Sequence, residues 1–504
     1  MVLLISPPVV KPGEAPAGLA LLAGALGQAA LPHAVVDASL EGLFYLMENG
    51  PQDSDTWSRR ARRCRDLHLA DLRSPRGYLS IDRYRRAVAD LSRLVHRAAA
   101  AWGVRLSLTD YEDPRLSPVR SADLIQAAEK PETNAFFPYF RDRLPGVLEE
   151  TNPSVVGVSL NYLSQALCAF AMMGFLRQAA PGLRIVLGGS LVTSWSKRLG
   201  GANPFVGIVD DLIAGPGEGP VLAMANRPLP ATPVCPDYAA FPRERYLAPG
   251  WILPYSASRG CWWRRCTFCP ETAEGNPYGP RSPGRVLRDL DTLNSKTPAT
   301  LVHLLDNALS PALLSALAER GAGPPWYGFA RITEQLARRD FCEALRRSGC
   351  VMLQLGLESG SQAVLDALRK GVNLATAAAV LKNLKAAGIG TYVYVLFGTP
   401  AEGPEEAAAT LDFVVRHGEN IDFLNVAVFN LPVDAGGEVA TRPFSEADLS
   451  LYRDFSHPRG WDRRRIRGFL DRTFKRHPAV LPIIGRDPPA FTSNHAAFFL
   501  GHGL

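Results

Sequence analysis

Short apolar runs alternate with helix-length stretches along most of this 504-residue chain. Val2 to Ile5 is apolar and stops at Pro7-Pro8, Ala17 to Leu26 carries a helical pattern, and Ala34 to Val36 is a second short run ending at Asp37. The rhythm returns at Val155-Val156-Gly157-Val158-Ser159, followed by a helical stretch from about Gln165 to Gln178. It continues with Ile185-Val186-Leu187-Gly188-Gly189 and the run Val206 to Ile213, which leads into Gly215-Pro216-Gly217-Glu218-Gly219. Continuous apolar runs suit strands covered on both faces, so the pattern predicts an α/β domain built on a doubly wound parallel sheet. Ligands of such sheets bind beyond the carboxyl ends of the strands, where Pro7-Pro8, Ser159, Gly188-Gly189 and Gly215 to Gly217 fall. The same glycines would also serve as plain turns.

Residues from about 45 to 150 break the rhythm. They are rich in Arg, helical in stretches such as Ile81 to Ala101, and broken at Pro114, Pro118 and Pro131, so they read as a helical insertion. After a Pro-rich stretch, Pro228 to Pro249, a second alternation begins: Ile252 to Ala257, Leu301 to Leu305, Trp326 to Ala330, Val351 to Leu355, Thr391 to Phe397 and Phe423 to Phe429. Helical patterns fill the gaps, among them Arg285 to Leu293, Glu334 to Arg347, Ala375 to Ala387 and Glu405 to Arg416. Six strand-helix repeats predict a partial (β/α)6 barrel, whose chemistry belongs at the strand carboxyl ends. The expected plan is a first domain over 1–228, a linker over 229–250, a barrel over 251–430 and a helical extension over 431–504.

Composition narrows the classes. With 47% apolar and 21% charged residues, disorder and collagen are excluded, and a formal net charge of +6 is modest for a protein that coats nucleic acid or membrane. No charge lies between Glu14 and Asp37, but Pro16, Gln28, Pro32 and His33 interrupt that run, so a cytoplasmic protein without a membrane segment is expected. The basic run Arg463-Arg464-Arg465-Ile466-Arg467 reads as a solvated helix face or a docking surface for an acidic peptide or anionic substrate. His495, Phe498 and Phe499, in a tail running to His502, would pack or close the barrel's mouth.

Eight cysteines are too few for a secreted disulfide framework, yet Cys261, Cys266 and Cys269 fall within nine residues, directly after the first barrel strand. Three thiolates on one loop can hold three corners of a 4Fe-4S cube and leave one iron open. A zinc half-site, as in a nucleic-acid-binding module, is the competing reading, but neither Cys235 nor His303 supplies a second pair at finger-like spacing.

The segment Arg259-Gly260-Cys261, with Cys266 and Cys269 behind it, resembles the cobalamin-binding branch of the radical S-adenosylmethionine (SAM) enzymes. Leu304-Leu305-Asp306-Asn307, Arg331, Gly356-Leu357-Glu358-Ser359-Gly360, Lys370-Gly371 and Phe397-Gly398-Thr399-Pro400 follow in the family's order. The resemblance implies a 4Fe-4S cluster on the three cysteines and SAM against Phe268, Asp306, Arg331, Glu358, Ser359 and Gly398. Arg331 and Glu358 would touch the SAM carboxylate and ribose, and Tyr394, with Tyr392 and Asn425, would line the inner wall. It also implies cobalamin in the first domain, at Pro8, Ser159, Asn161, Gly188, Gly189, Gly217 and Glu218. The Asp-x-His-x-x-Gly motif that supplies a lower histidine in other cobalamin proteins is missing. The activity implied is functionalisation of an unactivated carbon of a peptide or small natural product, fed by an electron donor such as flavodoxin or ferredoxin. That is methyl transfer if cobalamin takes part, and oxidation, cross-linking or rearrangement if it does not. A tRNA methylthiolating enzyme would carry a second three-cysteine set, which Cys64 and Cys168 do not make.

Overall fold

The computed structural model describes residues 1–51, 55–230, 232–436, 439–442, 447–491 and 495–500. Two compact units form. The first comprises Met1–Trp251 with Ser445–Leu451 and Pro489–Thr492, and the second comprises Ile252–Phe444, Tyr452–Pro488 and Ser493–Leu504. His502 lies outside the described residues.

The first unit is built on five strands, β1 (Val2–Ser6), β2 (His33–Asp37), β3 (Val155–Ser159), β4 (Arg184–Gly188) and β5 (Asp211–Ile213). They are all parallel, in the order β2-β1-β3-β4-β5. Leu3, Leu4 and Ile5 are wholly buried because helices cover both faces, which is why the strand reads as unbroken apolar sequence. Strand order reverses between β1 and β3, and this switch point opens a crevice at their carboxyl ends.

The expected run Val206 to Ile213 shrinks to three residues of strand. Ile208 and Val209 donate their backbone N–H to Phe205 O in a turn, Gly207 takes a φ of +89°, and Val206 is 80% exposed. Asp210 then accepts from Ile185 N and pairs with Arg177, so the ladder starts only beyond it. The insertion is helical, with its longest helix at Ile81–Ala99, but it also holds a small hairpin of Arg105–Leu106 and Tyr111–Glu112. The Pro-rich stretch is fastened to the first unit. Asp237 N donates to Ala20 O at 2.8 Å, Tyr246 Oη donates to Asp37 Oδ2 at 2.8 Å, and the chain at Cys235 runs so close to Gly24 that a Cβ would stand 2.0 Å from Cys235 O.

In the second unit six parallel strands follow one another in chain order: β6 (Ile252–Tyr255), β7 (Leu301–Leu309), β8 (Trp326–Ala330), β9 (Cys350–Glu358), β10 (Gly390–Phe397) and β11 (Phe423–Val428). Helices Pro283–Lys296, Pro311–Arg320, Arg339–Arg347, Leu374–Ala386 and Pro404–His417 connect them. The helix expected from Glu334 begins only at Arg339, because Arg338 is extended. Alternation along the strands separates two faces. Leu355, Leu357, Val393 and Val395 are buried on one face, whereas Phe329, Gly356, Glu358, Tyr394, Leu396 and Asn425 are half-buried on the other, which is the barrel lumen.

The carboxyl-terminal extension differs from an all-helical tail. Leu431–Pro432, Thr441–Arg442 and Tyr452–Phe455 form a three-stranded antiparallel ribbon before the short helices. The last described residues do not close the mouth. His495, Phe498 and Phe499 gather their rings 5.0 to 6.4 Å from Phe423, and Phe499 fills the space left by Gly390. Phe423 and Gly390 are the first residues of β11 and β10, so the tail seals the amino-terminal floor of the barrel. Among the described residues, no helix is long and apolar enough to cross a membrane.

Candidate functional site

The cysteine loop leaves β6 and is pinched at its root, where Ser258–Arg259 pairs antiparallel with Gly279–Pro280. Gly260 adopts a φ of +71° there, and a Cβ would lie 2.6 Å from Pro277 O, so the turn into Cys261 requires glycine. Asp306 braces the same root from β7. Its Oδ2 accepts from Ala257 N at 3.0 Å and its Oδ1 from Ser258 Oγ. Burial pushes this carboxyl up, and these hydrogen bonds oppose the shift. Both oxygens are engaged within the loop, and β7 runs on to Leu309, so Asp306 is not at a strand end.

Three contacts fix the rest of the loop. Trp262 Nε1 donates to Leu309 O at 3.2 Å, Trp263 Nε1 to Arg369 O at 3.0 Å, and Thr267 N to Leu368 O at 3.1 Å. The Trp263 ring occupies the place of the side chain that Gly371 lacks. The three cysteines are free thiols. Arg331, directly after β8, lies buried with Nη1 3.8 Å from Cys266 Sγ, Nη2 donating to Lys370 O, and its guanidinium 4.2 Å from the Trp263 ring centroid. Burial raises the Cys266 thiol, and Lys370 and Arg331 pull it back down. Burial likewise raises Cys269, opposed by the backbone N–H groups of Thr272 and Glu271.

This donor set fits an iron-sulfur cube. The thiolates are sheltered from water, and cations and backbone N–H groups compensate their charge. Among the described residues no three His, Cys, Asp or Glu side chains converge as the ligands of one metal ion must, whereas a cube offers each thiolate its own iron.

Around the loop the lumen rim is ionic. Glu358, at the end of β9, takes a φ of +70°, and Lys370 Nζ meets its Oε1 at 2.7 Å in a largely buried pair. Gly356 makes room for that pair, since a Cβ there would lie 2.5 Å from Glu358 Oε1. Lys370 Nζ is also 5.6 Å from the Phe268 ring centroid. Ser359 is tied to Thr410 Oγ1 at 3.2 Å and to Ser361 N, which shapes the turn after Glu358. Gly398, at a φ of +85°, is covered by Ile466. Tyr394 stands half-buried on the lumen wall, lower than these groups.

The structure therefore brings Cys261, Cys266, Cys269, Phe268, Arg331 and Glu358 to one end of the barrel. Sequence reasoning gave no role to Lys370 beyond its place in the family's order. The Lys-Gly pair twelve residues after the glutamate was the available signal.

The carboxyl edge of the first sheet is a second candidate site. Gln165 Oε1 accepts from Asn161 N and Tyr162 N, and its Nε2 donates to Pro7 O, tying the ends of β1 and β3 together. Asn161 Nδ2 donates to Ser159 Oγ at 3.0 Å, and Ser190 N donates to Asn161 Oδ1 at 3.0 Å. Gly18 faces Ser159 Oγ at ordinary contact distance. Gly189 has a φ of +116° with no room for a Cβ, which would lie 2.2 Å from Leu160 O. Gly217 abuts Leu22, and Glu218 is buried at the start of the helix that follows. Backbone and small polar groups thus line this crevice, a surface suited to a large ligand held by shape.

The comparisons agree with this layout. The family model of the Radical SAM superfamily matches residues 255–414, from the end of β6 into the Pro404–His417 helix. An uncharacterized methyltransferase of Pyrococcus horikoshii is 25% identical over 36% of this chain and 40% of its own length. A bacteriochlorophyllide d C-12(1)-methyltransferase of Chlorobaculum tepidum is 28% identical over 42% and 45%. The chain thus spans less than half of these curated relatives. Among solved structures, the cobalamin-dependent SAM radical enzyme OxsB superposes with a TM-score of 0.53 at 14% identity, covering 84% of this chain and 53% of that one. The radical SAM methyltransferase TsrM from Kitasatospora setae gives 0.52 at 16%, covering 85% and 73%. The family match displaces the zinc module. From its motif, its barrel and these likenesses, residues 255–414 match the Radical SAM superfamily, and the chain has the fold of the solved structures of OxsB and TsrM.

Proposed function

We propose that this protein is a cobalamin-dependent radical SAM methyltransferase acting on an unactivated carbon of a peptide or small natural product. The observation that carries the reading is the trio of sheltered thiols at the carboxyl end of β6, with Arg331 beside Cys266 and the Glu358–Lys370 pair at the same rim. When bound, the cluster would supply one-electron cleavage of SAM and cobalamin would supply a methyl carrier.

The chain's own part is positioning and dryness. Cys261, Cys266 and Cys269 would hold the cluster, and Arg331 would steady the charge of the Cys266 thiolate. Glu358 would accept ribose hydroxyls with its position fixed by Lys370, while Phe268, Ser359 and Gly398 would shape the nucleotide's bed. Asp306 would act by bracing the loop. Pro8, Ser159, Asn161, Gly188, Gly189, Gly217 and Glu218 would cradle cobalamin, and Tyr394 would face the substrate. An acidic one-electron carrier such as flavodoxin or ferredoxin would feed the cluster, in a reducing cytoplasm that keeps the free thiols intact.

The test is anaerobic incubation of reconstituted enzyme with methyl-deuterated SAM and candidate substrates. Labelled product, with S-adenosylhomocysteine and 5′-deoxyadenosine both formed, is expected. An anaerobic magnesium-protoporphyrin IX monomethyl ester cyclase of Rubrivivax gelatinosus, 22% identical over 43% of the chain, favours a second reading, non-methylating radical chemistry. It predicts 5′-deoxyadenosine with no label in product.

A further inference from the structure

The cysteine loop has an outer surface as well as a sheltered side. Arg264, Arg265 and Arg369 are all exposed there, and none of them forms an ion pair among the described residues. Three carboxylates lie on the same two segments, Cys261 to Asn276 and Gln362 to Lys370. Asp366 accepts from Gln362 Nε2 at 2.9 Å and Glu274 from Asn276 Nδ2 at 2.9 Å, which leaves Glu271 against three cations. Arg264 and Arg369 each make a left-handed turn, at φ of +50° and +49°, where glycine or asparagine would cost less. The turns gain nothing from arginine, so what these positions offer is the exposed charge.

Trp263 joins this surface to a buried thiol. Its Nε1 donates to Arg369 O at 3.0 Å, and the Arg265 guanidinium stands 5.1 Å from its ring centroid. The Arg331 guanidinium stands 4.2 Å from the same ring, with Nη1 3.8 Å from Cys266 Sγ. Arg265, Trp263, Arg331 and Cys266 therefore form one chain of contacts from solvent to a thiol. Trp and Arg are the side chains that most often anchor protein interfaces, and unpaired cations around them steer a negative partner. Electron-transfer partners need only small interfaces of this kind. A phosphate polymer would meet the same cations but has no use for a route to the thiol.

We infer that Arg264, Arg265 and Arg369, set around Trp263, are the docking surface for a small acidic protein that carries a one-electron centre at its own surface. This rests on the proposed function in taking Cys261, Cys266 and Cys269 as cluster ligands. One electron passes from the reduced carrier to the bound cluster: the carrier is oxidised, the cluster is reduced, and no proton moves and no covalent bond forms or breaks.

The experiment is anaerobic stopped-flow reduction of the cluster-loaded full chain by reduced flavodoxin or reduced ferredoxin, with reduced methyl viologen as a small cationic reductant that needs no docking. With at least one carrier the second-order rate is expected to fall at least about tenfold between about 0.05 and 0.5 M salt. Arg265→Glu combined with Arg369→Glu should slow that carrier about tenfold at low salt and flatten the salt dependence, with iron content and viologen reduction unchanged. If the double variant does not load its cluster, Arg369→Gln, outside the cysteine loop, should give a smaller loss of the same kind, about threefold. Reduction by neither carrier, a rate indifferent to salt or to these substitutions, equal slowing with viologen, or displacement of the carrier by a single-stranded oligonucleotide would each overturn the inference. Viologen also separates the two readings: its failure to reduce the wild-type protein counts against the proposed cluster, whereas its success beside an indifferent carrier counts against this docking surface alone.

Discussion

The two parallel sheets place their candidate sites at the same ends of their strands but furnish them in opposite ways. In the first unit, strand order reverses at β1 and β3, and the crevice is lined by backbone, glycines and the small polar groups of Ser159 and Asn161. In the second, six strands run in sequence order, and the barrel end gathers thiols, a buried guanidinium and a buried ion pair. A crevice lined mainly by backbone and small polar groups selects a ligand by shape. A desolvated set of charges changes the reactivity of what it holds. Under the proposed function the first unit would cradle cobalamin and the second would hold the cluster and carry the chemistry, and each part of that division can be broken separately.

The largest effect is expected from Cys266→Ala. Loss of one of three ligands should abolish iron-sulfur absorbance and SAM cleavage, while cobalamin uptake by the first unit, read from its visible spectrum, persists. Next comes Lys370→Met, which leaves the Glu358 carboxylate buried without its cation. We expect about 3 kcal/mol lost in denaturant unfolding, with SAM affinity weakened as well. Gly189→Ala introduces both an unfavourable φ and a contact with Leu160 O. It should cost about 2 kcal/mol and prevent cobalamin binding, yet leave 5′-deoxyadenosine formation intact.

The last effect concerns pH. Burial pushes the Glu402 carboxyl, beside Gly398 in the second unit, up to about 7 from an ordinary 4.5, and burial pushes Asp37 in the first unit up to about 6 from 3.8. Each folded group keeps its proton where the unfolded one has lost it. Stability therefore falls as pH rises through each window, and levels off above about 6 for Asp37 and above about 7 for Glu402. Thermal unfolding followed from pH 4 to 8 should show this slope, and Glu402→Gln should roughly halve it between about 4.5 and 6 and flatten it between about 6 and 7.

Both layers of the fold were legible because a strand buried on both faces must be apolar throughout. Val2 to Ile5 and Trp326 to Ala330 could hardly be read otherwise. Val206 misled because its apolar neighbours form a turn around Gly207, which hydrophobicity alone does not reveal. The tail misled for another reason: aromatic residues near a terminus do not show which end of a barrel they will cover, and the missing side chain of Gly390 made the floor the better fit for Phe499.

The amino-acid order alone determined the thiol trio, since Cys261, Cys266 and Cys269 lie close along one loop and their spacing needs no long-range contact to be recognised. Only the tertiary structure decided that Asp306 braces the loop, that Lys370 meets Glu358, and that Trp263 leans on the buried Arg331. Those pairings join side chains from separate strands and loops. Whether a polar atom is satisfied depends on neighbours that folding brings from elsewhere in the chain.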